Sequence, residues 1–321
     1  MRPTFSVIVF TVLSGAGFGL LAWLGLALGM GVYVIGVNAL LVALSCGLFL
    51  SGIGLLASTV HLGKPWRGWR GLSQWRSSWL SREAIAALAS YIPLLILVAL
   101  RHAPRDALAV RLTGLVLAAC ALTTVYCTAR IYTSLKPIPA WRLPQVLPGY
   151  LLLALASGGL WLWLIVVLQL DARDMTASAA AHDGWLFGLL LVVLAAGLCK
   201  RSYWRAVDRD AHAPDAGRAT GLDRFGRVVA ASAPNTEANY LLREMGFVLA
   251  RRHRYRLRAI ALIFVVVLCA LLIGLAMLIP PASIGLAPLA VFSVMSGLIV
   301  ERWLFFAEAR HHVVAWYPGT P

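Results

Sequence analysis

Charge is scarce in this chain: Asp, Glu, Lys and Arg make up 13% of its 321 residues, about half of the usual quarter. Acids are scarcer still, 13 against 28 Lys and Arg. A chain that is 60% hydrophobic, with a mean hydropathy of +0.81, has too little polar surface to clothe a soluble core. The alternating period-2 pattern of membrane barrels is also missing. The five cysteines (Cys46, Cys120, Cys127, Cys199, Cys269) are scattered through apolar segments, and no two make a C-x-x-C pair. Iron–sulfur clusters need several thiolates at characteristic spacings, so no cluster and no metal site are expected here; these cysteines read as small buried hydrophobes. The seven histidines lie at helix ends or in loops, whereas haem inside a bundle takes imidazoles from facing helices. No haem is expected, although a single pair such as His61 and His253 can still meet in space. Nothing points to a nucleic-acid partner.

What the chain has instead is eight apolar runs, near 5–29, 35–60, 84–100, 108–130, 147–170, 184–199, 259–280 and 284–305. Roughly 17 to 25 residues are needed to cross a ~30 Å hydrocarbon core as a helix. Lipid offers no partner for an unpaired backbone group, so the runs read as helices. The expected fold is all-α: an integral membrane protein, one membrane domain over 1–321, built as a bundle of eight transmembrane helices. The first run is too long for a usual signal peptide and has no clear cleavage site, so it is expected to be a retained helix. Glycines cluster in the first two runs (Gly15, Gly17, Gly19; Gly47, Gly52, Gly54), where close helix packing explains them better than substrate passage.

With eight spans, 24 of the 28 Lys and Arg fall on the side that holds both termini and the 2–3, 4–5 and 6–7 connections. Only Arg101, Arg105, Arg111 and Arg173 fall on the other, and the acids divide nine to four the same way. By the positive-inside rule the crowded face is cytoplasmic, and leaving out the long 200–258 connection still gives 11 against 4. A face that docks a soluble partner can also be basic. The polar stretch 207–236 reads as an extended loop suited to partner contact, and 237–258 as an interfacial helix leading into the seventh span.

The segment His61–Glu83, HLGKPWRGWRGLSQWRSSWLSRE, concentrates the chemistry. Five cations (Lys64, Arg67, Arg70, Arg76, Arg82) and four tryptophans (Trp66, Trp69, Trp75, Trp79) sit between two apolar runs, at headgroup depth. Antiparallel helices joined by this loop place His61 and Glu83 at one depth, facing one pocket. A quinol must lose two protons with its two electrons; an imidazole and a partly buried carboxylate are suitable acceptors. The plainer alternative is that His61 ends the second helix and that Ser81, Arg82 and Glu83 only cap the third.

HLGKPWRGWR with SSWLSRE, ARIY at 129–132 followed by PIPAW at 137–141, and EMGFVLARRH at 244–253 resemble the membrane anchor subunits of dimethyl sulfoxide reductase-type molybdoenzymes. The resemblance covers most of the chain. It implies an anchor of the bacterial cytoplasmic (inner) membrane, in anaerobic metabolism, that binds menaquinone or ubiquinone without haem. Electrons would pass through a four-cluster iron–sulfur subunit to a molybdopterin catalytic subunit. It also implies that His61 and Glu83 are the quinone-site pair. Trp79 would stand at the entrance, and Arg67, Arg70 and Arg82 would hydrogen-bond a quinone oxygen or dock the iron–sulfur subunit. The cytoplasmic face departs from family members that serve exported catalytic subunits, and brings phenylacetyl-CoA:acceptor oxidoreductase-type complexes into view. The alternatives are an anchor of the polysulfide or nitrite reductase type and, from a different class, a secondary transporter; these uninterrupted runs lack the broken midplane helices of a transporter.

Overall fold

The computed structural model describes residues 4–31, 36–60, 65–169, 179–209, 216–226, 228 and 249–311. Eight helices in it are long and apolar enough to cross a membrane. They are α1 (Phe5–Met30), α2 (Val37–Thr59), α3 (Trp79–Ala99), α4 (Leu108–Thr133), α5 (Val146–Gln169), α6 (Ala179–Asp208), α7 and α8 (Ser283–Ala307). The seventh, α7, runs from Leu249–Leu262 through a π turn at Ile263–Val267 into Leu268–Leu278. The all-helical, eight-span fold read from hydropathy is therefore the fold observed, and the described residues contain no strand.

Helix α1 is the axis of the bundle, packed against α2, α4, α5 and the end of α8, while α3 pairs with α4, and α6 with α5 and α7. Its small residues allow this. A Cβ on Gly54 of α2 would lie 2.5 Å from the backbone nitrogen of Ser14, and one on Gly19 would run into the carbonyl of Ala154 on α5. Without a hydrophobic drive between helices in lipid, such backbone approach supplies the van der Waals contact that holds them. The π turn in α7 frees the Phe264 carbonyl from the helical ladder. The Ser293 hydroxyl of α8 donates to it at 2.6 Å and the Cys269 thiol at 3.2 Å, so the irregularity is satisfied inside the bundle.

Three local expectations shift. The third helix starts at Trp79 rather than 84, capped by Ser78, whose side chain accepts from the Ser81 amide at 3.4 Å. Ser81 is not the cap: its hydroxyl donates to the Gly71 carbonyl at 2.6 Å and ties the α2–α3 loop down. That loop carries a 3-10 helix at Pro65–Gln74. The sixth helix runs on to Asp208, beyond the 199 expected, because its last two turns bury Lys200, Tyr203 and Trp204 among aromatic rings. Of the 207–236 stretch, the described part forms a helical turn at Ala216–Thr220 and a 3-10 turn at Asp223–Phe225; of 237–258, residues 249–258 continue α7.

Candidate functional site

Eight alternating spans bring the start of α3, the end of α4, the start of α5, the end of α6, the start of α7 and the end of α8 to the membrane side where α1 begins. The buried charges of the described bundle collect there, in two clusters.

The first is built on Glu83. It lies in the second turn of α3, 3% exposed, and the Thr128 hydroxyl of α4 donates to its Oε1. The same Thr128 oxygen is 3.1 Å from the Thr124 carbonyl. Among the described residues Glu83 has no ion-pair partner. A buried carboxylate that no cation pins is free to exchange a proton when a partner arrives. One turn back, the Trp79 ring is flanked by the Arg82 guanidinium at 4.3 Å and the Arg130 guanidinium at 4.9 Å, with Tyr126 edge-on at 6.0 Å. Arg82 is fixed by donating to the carbonyls of Trp75 at 2.8 Å and Arg76 at 2.6 Å. The Arg130 Nε is buried with no hydrogen-bond partner among the described residues.

Of the residues singled out in the sequence, the structure thus brings Trp79 and Arg82 together close to Glu83. Arg67 and Arg70 stay exposed on the 3-10 helix, Arg70 beside Trp69 at 5.6 Å. His61 lies outside the described residues.

The second cluster was not foreseen. Glu301 of α8 is ion-paired with Lys200 of α6 and, at 3.1 Å, with Arg302 Nε; all three are buried. Lys200 lies over the rings of Tyr203 at 4.2 Å and Trp204 at 5.2 Å, and Arg302 stacks on Tyr150 at 3.8 Å. Towards the surface Arg258 donates to both oxygens of Glu308, at 2.9 and 2.8 Å, and to Asp208 at 2.6 Å, clasping α6, α7 and α8. Lys200, Arg258 and Arg302 all stood among the 24 cations of the crowded face; they are structural charges in buried pairs. The motif residues Tyr132 and Trp141 have a packing role: both lie against Phe305 and Phe306, and the Trp141 indole donates to the Phe305 carbonyl at 3.2 Å, fixing the turn that holds Arg302.

Among the described residues, then, an eight-span bundle gathers its buried charges on one side of the membrane, next to a tryptophan flanked by two guanidiniums. The chain belongs to the family of the DMSO reductase anchor subunit (DmsC), whose model matches residues 1–206. It is also similar to a sulfite dehydrogenase subunit of Allochromatium vinosum, 32% identical over an alignment of 344 residues that covers 100% of each chain. It is therefore a membrane anchor subunit of a molybdoenzyme-type oxidoreductase complex.

Proposed function

We propose that this chain is the quinone-binding subunit of its complex and passes electrons between the membrane quinone pool and a four-cluster iron–sulfur subunit, which in turn serves the molybdopterin catalytic subunit. The carrying observation is Glu83: buried, without a cation partner among the described residues, held by one hydroxyl, and next to a tryptophan flanked by two guanidiniums at the membrane interface. These residues fit a quinone head group. Trp79 offers a flat apolar face, the buried Arg130 Nε offers an unused donor to a carbonyl oxygen, and Glu83 exchanges a proton. When bound, quinone supplies a two-electron, two-proton couple. Glu83 handles one proton and His61 the other, Arg82 and Arg130 hold the entrance rigid, and the exposed Arg67 and Arg70 face the iron–sulfur partner.

The crowded face is read as cytoplasmic, in the inner membrane of a bacterium. With the relative's name as a dehydrogenase, this supports electron flow from a substrate, as it is oxidised, into quinone, and sulfite is the substrate class that the relative suggests.

A photoreactive quinone analogue, applied to the purified complex of anchor, iron–sulfur and catalytic subunits and mapped by peptide mass spectrometry, tests this reading. Labelling within 75–83 and 126–130, suppressed by natural quinone, is expected. Labelling confined to other helices rejects it.

A further inference from the structure

Between α1, α4, α5 and α8 lies a cavity of about 20 Å³, with Thr11, Ser14, Thr128, Tyr150, Ser157 and Arg302 on its wall. A partly open pocket of this size has room for water. Ser14 donates to Phe10 at 2.6 Å and Ser157 to Leu153 at 2.9 Å, each on its own helix, which leaves both hydroxyl oxygens able to accept. The Tyr150 hydroxyl is buried beside Arg302 and the Tyr132 ring, and among the described residues it makes no hydrogen bond of strict geometry, which leaves it room to bond a water. Empty cavities are apolar; a polar one with two to four available groups holds water.

Thr128 belongs to this wall and to the Glu83 site at once. When Glu83 is a carboxylate, Thr128 donates to it. When Glu83 is a carboxylic acid, its O–H donates to Thr128 Oγ1, whose own hydrogen turns to the Thr124 carbonyl at 3.1 Å or to the cavity. One side chain satisfies both protonation states without any backbone movement.

We propose that the cavity holds water and that Thr128 joins it to Glu83, so that protons pass between Glu83 and the Tyr150–Arg302 wall through hydroxyls and water. The purpose of the path rests on the quinone reading; the path itself does not. In one transfer the Glu83 O–H bond breaks as Thr128 Oγ1 takes that proton, and the Thr128 O–H bond breaks as a cavity water takes its proton. No electron moves, and the reverse sequence reloads Glu83. Arg302 keeps its charge and orients the water, because a guanidinium does not release a proton in this range. Beyond it lies the Glu301–Lys200 pair, and the Trp204 ring, 5.2 Å from Lys200 and 5.6 Å from Arg258, separates that pair from the Arg258 clasp on Asp208 and Glu308 at the helix ends. Three buried cations (Lys200, Arg258, Arg302) face three carboxylates (Asp208, Glu301, Glu308) along that line, and the part-exposed Arg254, 3.7 Å from Asp208, adds a fourth cation at its outer end.

The test follows the Glu83 carboxylic-acid stretching band by infrared difference spectroscopy in the assembled, quinone-free complex after transfer to D2O, with the band assigned by its loss in Glu83→Gln. In the wild type the band shifts on exchange. Thr128→Val slows that shift by on the order of a hundredfold, Tyr150→Phe slows it as well, and Thr128→Ser restores it. Gel filtration confirms assembly of each variant, and Thr128→Ser separates loss of the hydroxyl from disturbed packing. Wild-type exchange in Thr128→Val overturns the path. Quinone turnover in Glu83→Gln is measured alongside: normal turnover there removes the quinone reading and leaves the exchange result standing.

Discussion

Glu83 and Glu301 are both buried on the same side of the bundle, yet one is held by a single hydroxyl and the other by two cations. Burial is costly for either as an anion, and only Glu301 has the charge pairing that offsets it. The same residue type therefore sits in two environments: Glu301 ties α6 to α8, while Glu83 meets one hydroxyl and, among the described residues, no cation.

Charge bookkeeping around Glu301 gives an unequal pair of mutants. Glu301→Gln leaves Lys200 and Arg302 buried with no carboxylate between them, and is expected to cost roughly 3–5 kcal/mol, enough to lower the yield of assembled complex sharply. Lys200→Met leaves Glu301 paired with Arg302 and costs less. Thermal melting of the purified complex ranks them, and equal losses would contradict the pairing.

Arg258 makes parallel bonds to both oxygens of Glu308 and a third to Asp208. Lysine is a point charge and cannot reproduce that fork. Arg258→Lys is expected to lower stability by about 1.5–3 kcal/mol. Limited proteolysis at the ends of α6 and α8 should quicken accordingly, and unchanged cleavage would show that the clasp contributes little.

Two glycines on α2 provide a matched control for the packing of α1. A Cβ on Gly54 would press on the Ser14 backbone at 2.5 Å, whereas one on Gly52 meets nothing within 4 Å. Gly54→Ala should reduce the melting temperature and the assembled fraction, and Gly52→Ala should leave both at the wild-type level. A tolerated Gly54→Ala would mean that α2 can shift outward.

Hydropathy alone made the eight helices legible, since a span needs a long apolar run and the lipid leaves no other fold. The helix ends were less legible because amphipathic last turns look like loops. Lys200 follows the apolar run ending at Cys199, yet Tyr203 and Trp204, three and four residues on, lie on the same helix face and pack on it. That spacing was the available signal. Glu301 and Arg302, an adjacent acid and base inside an otherwise apolar run, were a second one. Thr128 had none: a hydroxyl in a membrane helix usually bonds its own backbone, and only the placement of α3 against α4 reveals its partner. Glu83, Trp79 and Arg82 stood out in the sequence because a carboxylate at the start of an apolar run is costly once buried, while tryptophan and arginine collect where a span meets the headgroups.

The most direct measurement compares Glu83→Gln with the wild-type complex in two assays, turnover with a membrane quinone and turnover of the catalytic subunit with a soluble artificial dye. The substitution preserves shape and removes proton exchange. Quinone-linked turnover should fall by at least about a hundredfold while dye-linked turnover and subunit assembly stay at the wild-type level. Wild-type quinone turnover in Glu83→Gln would contradict the account.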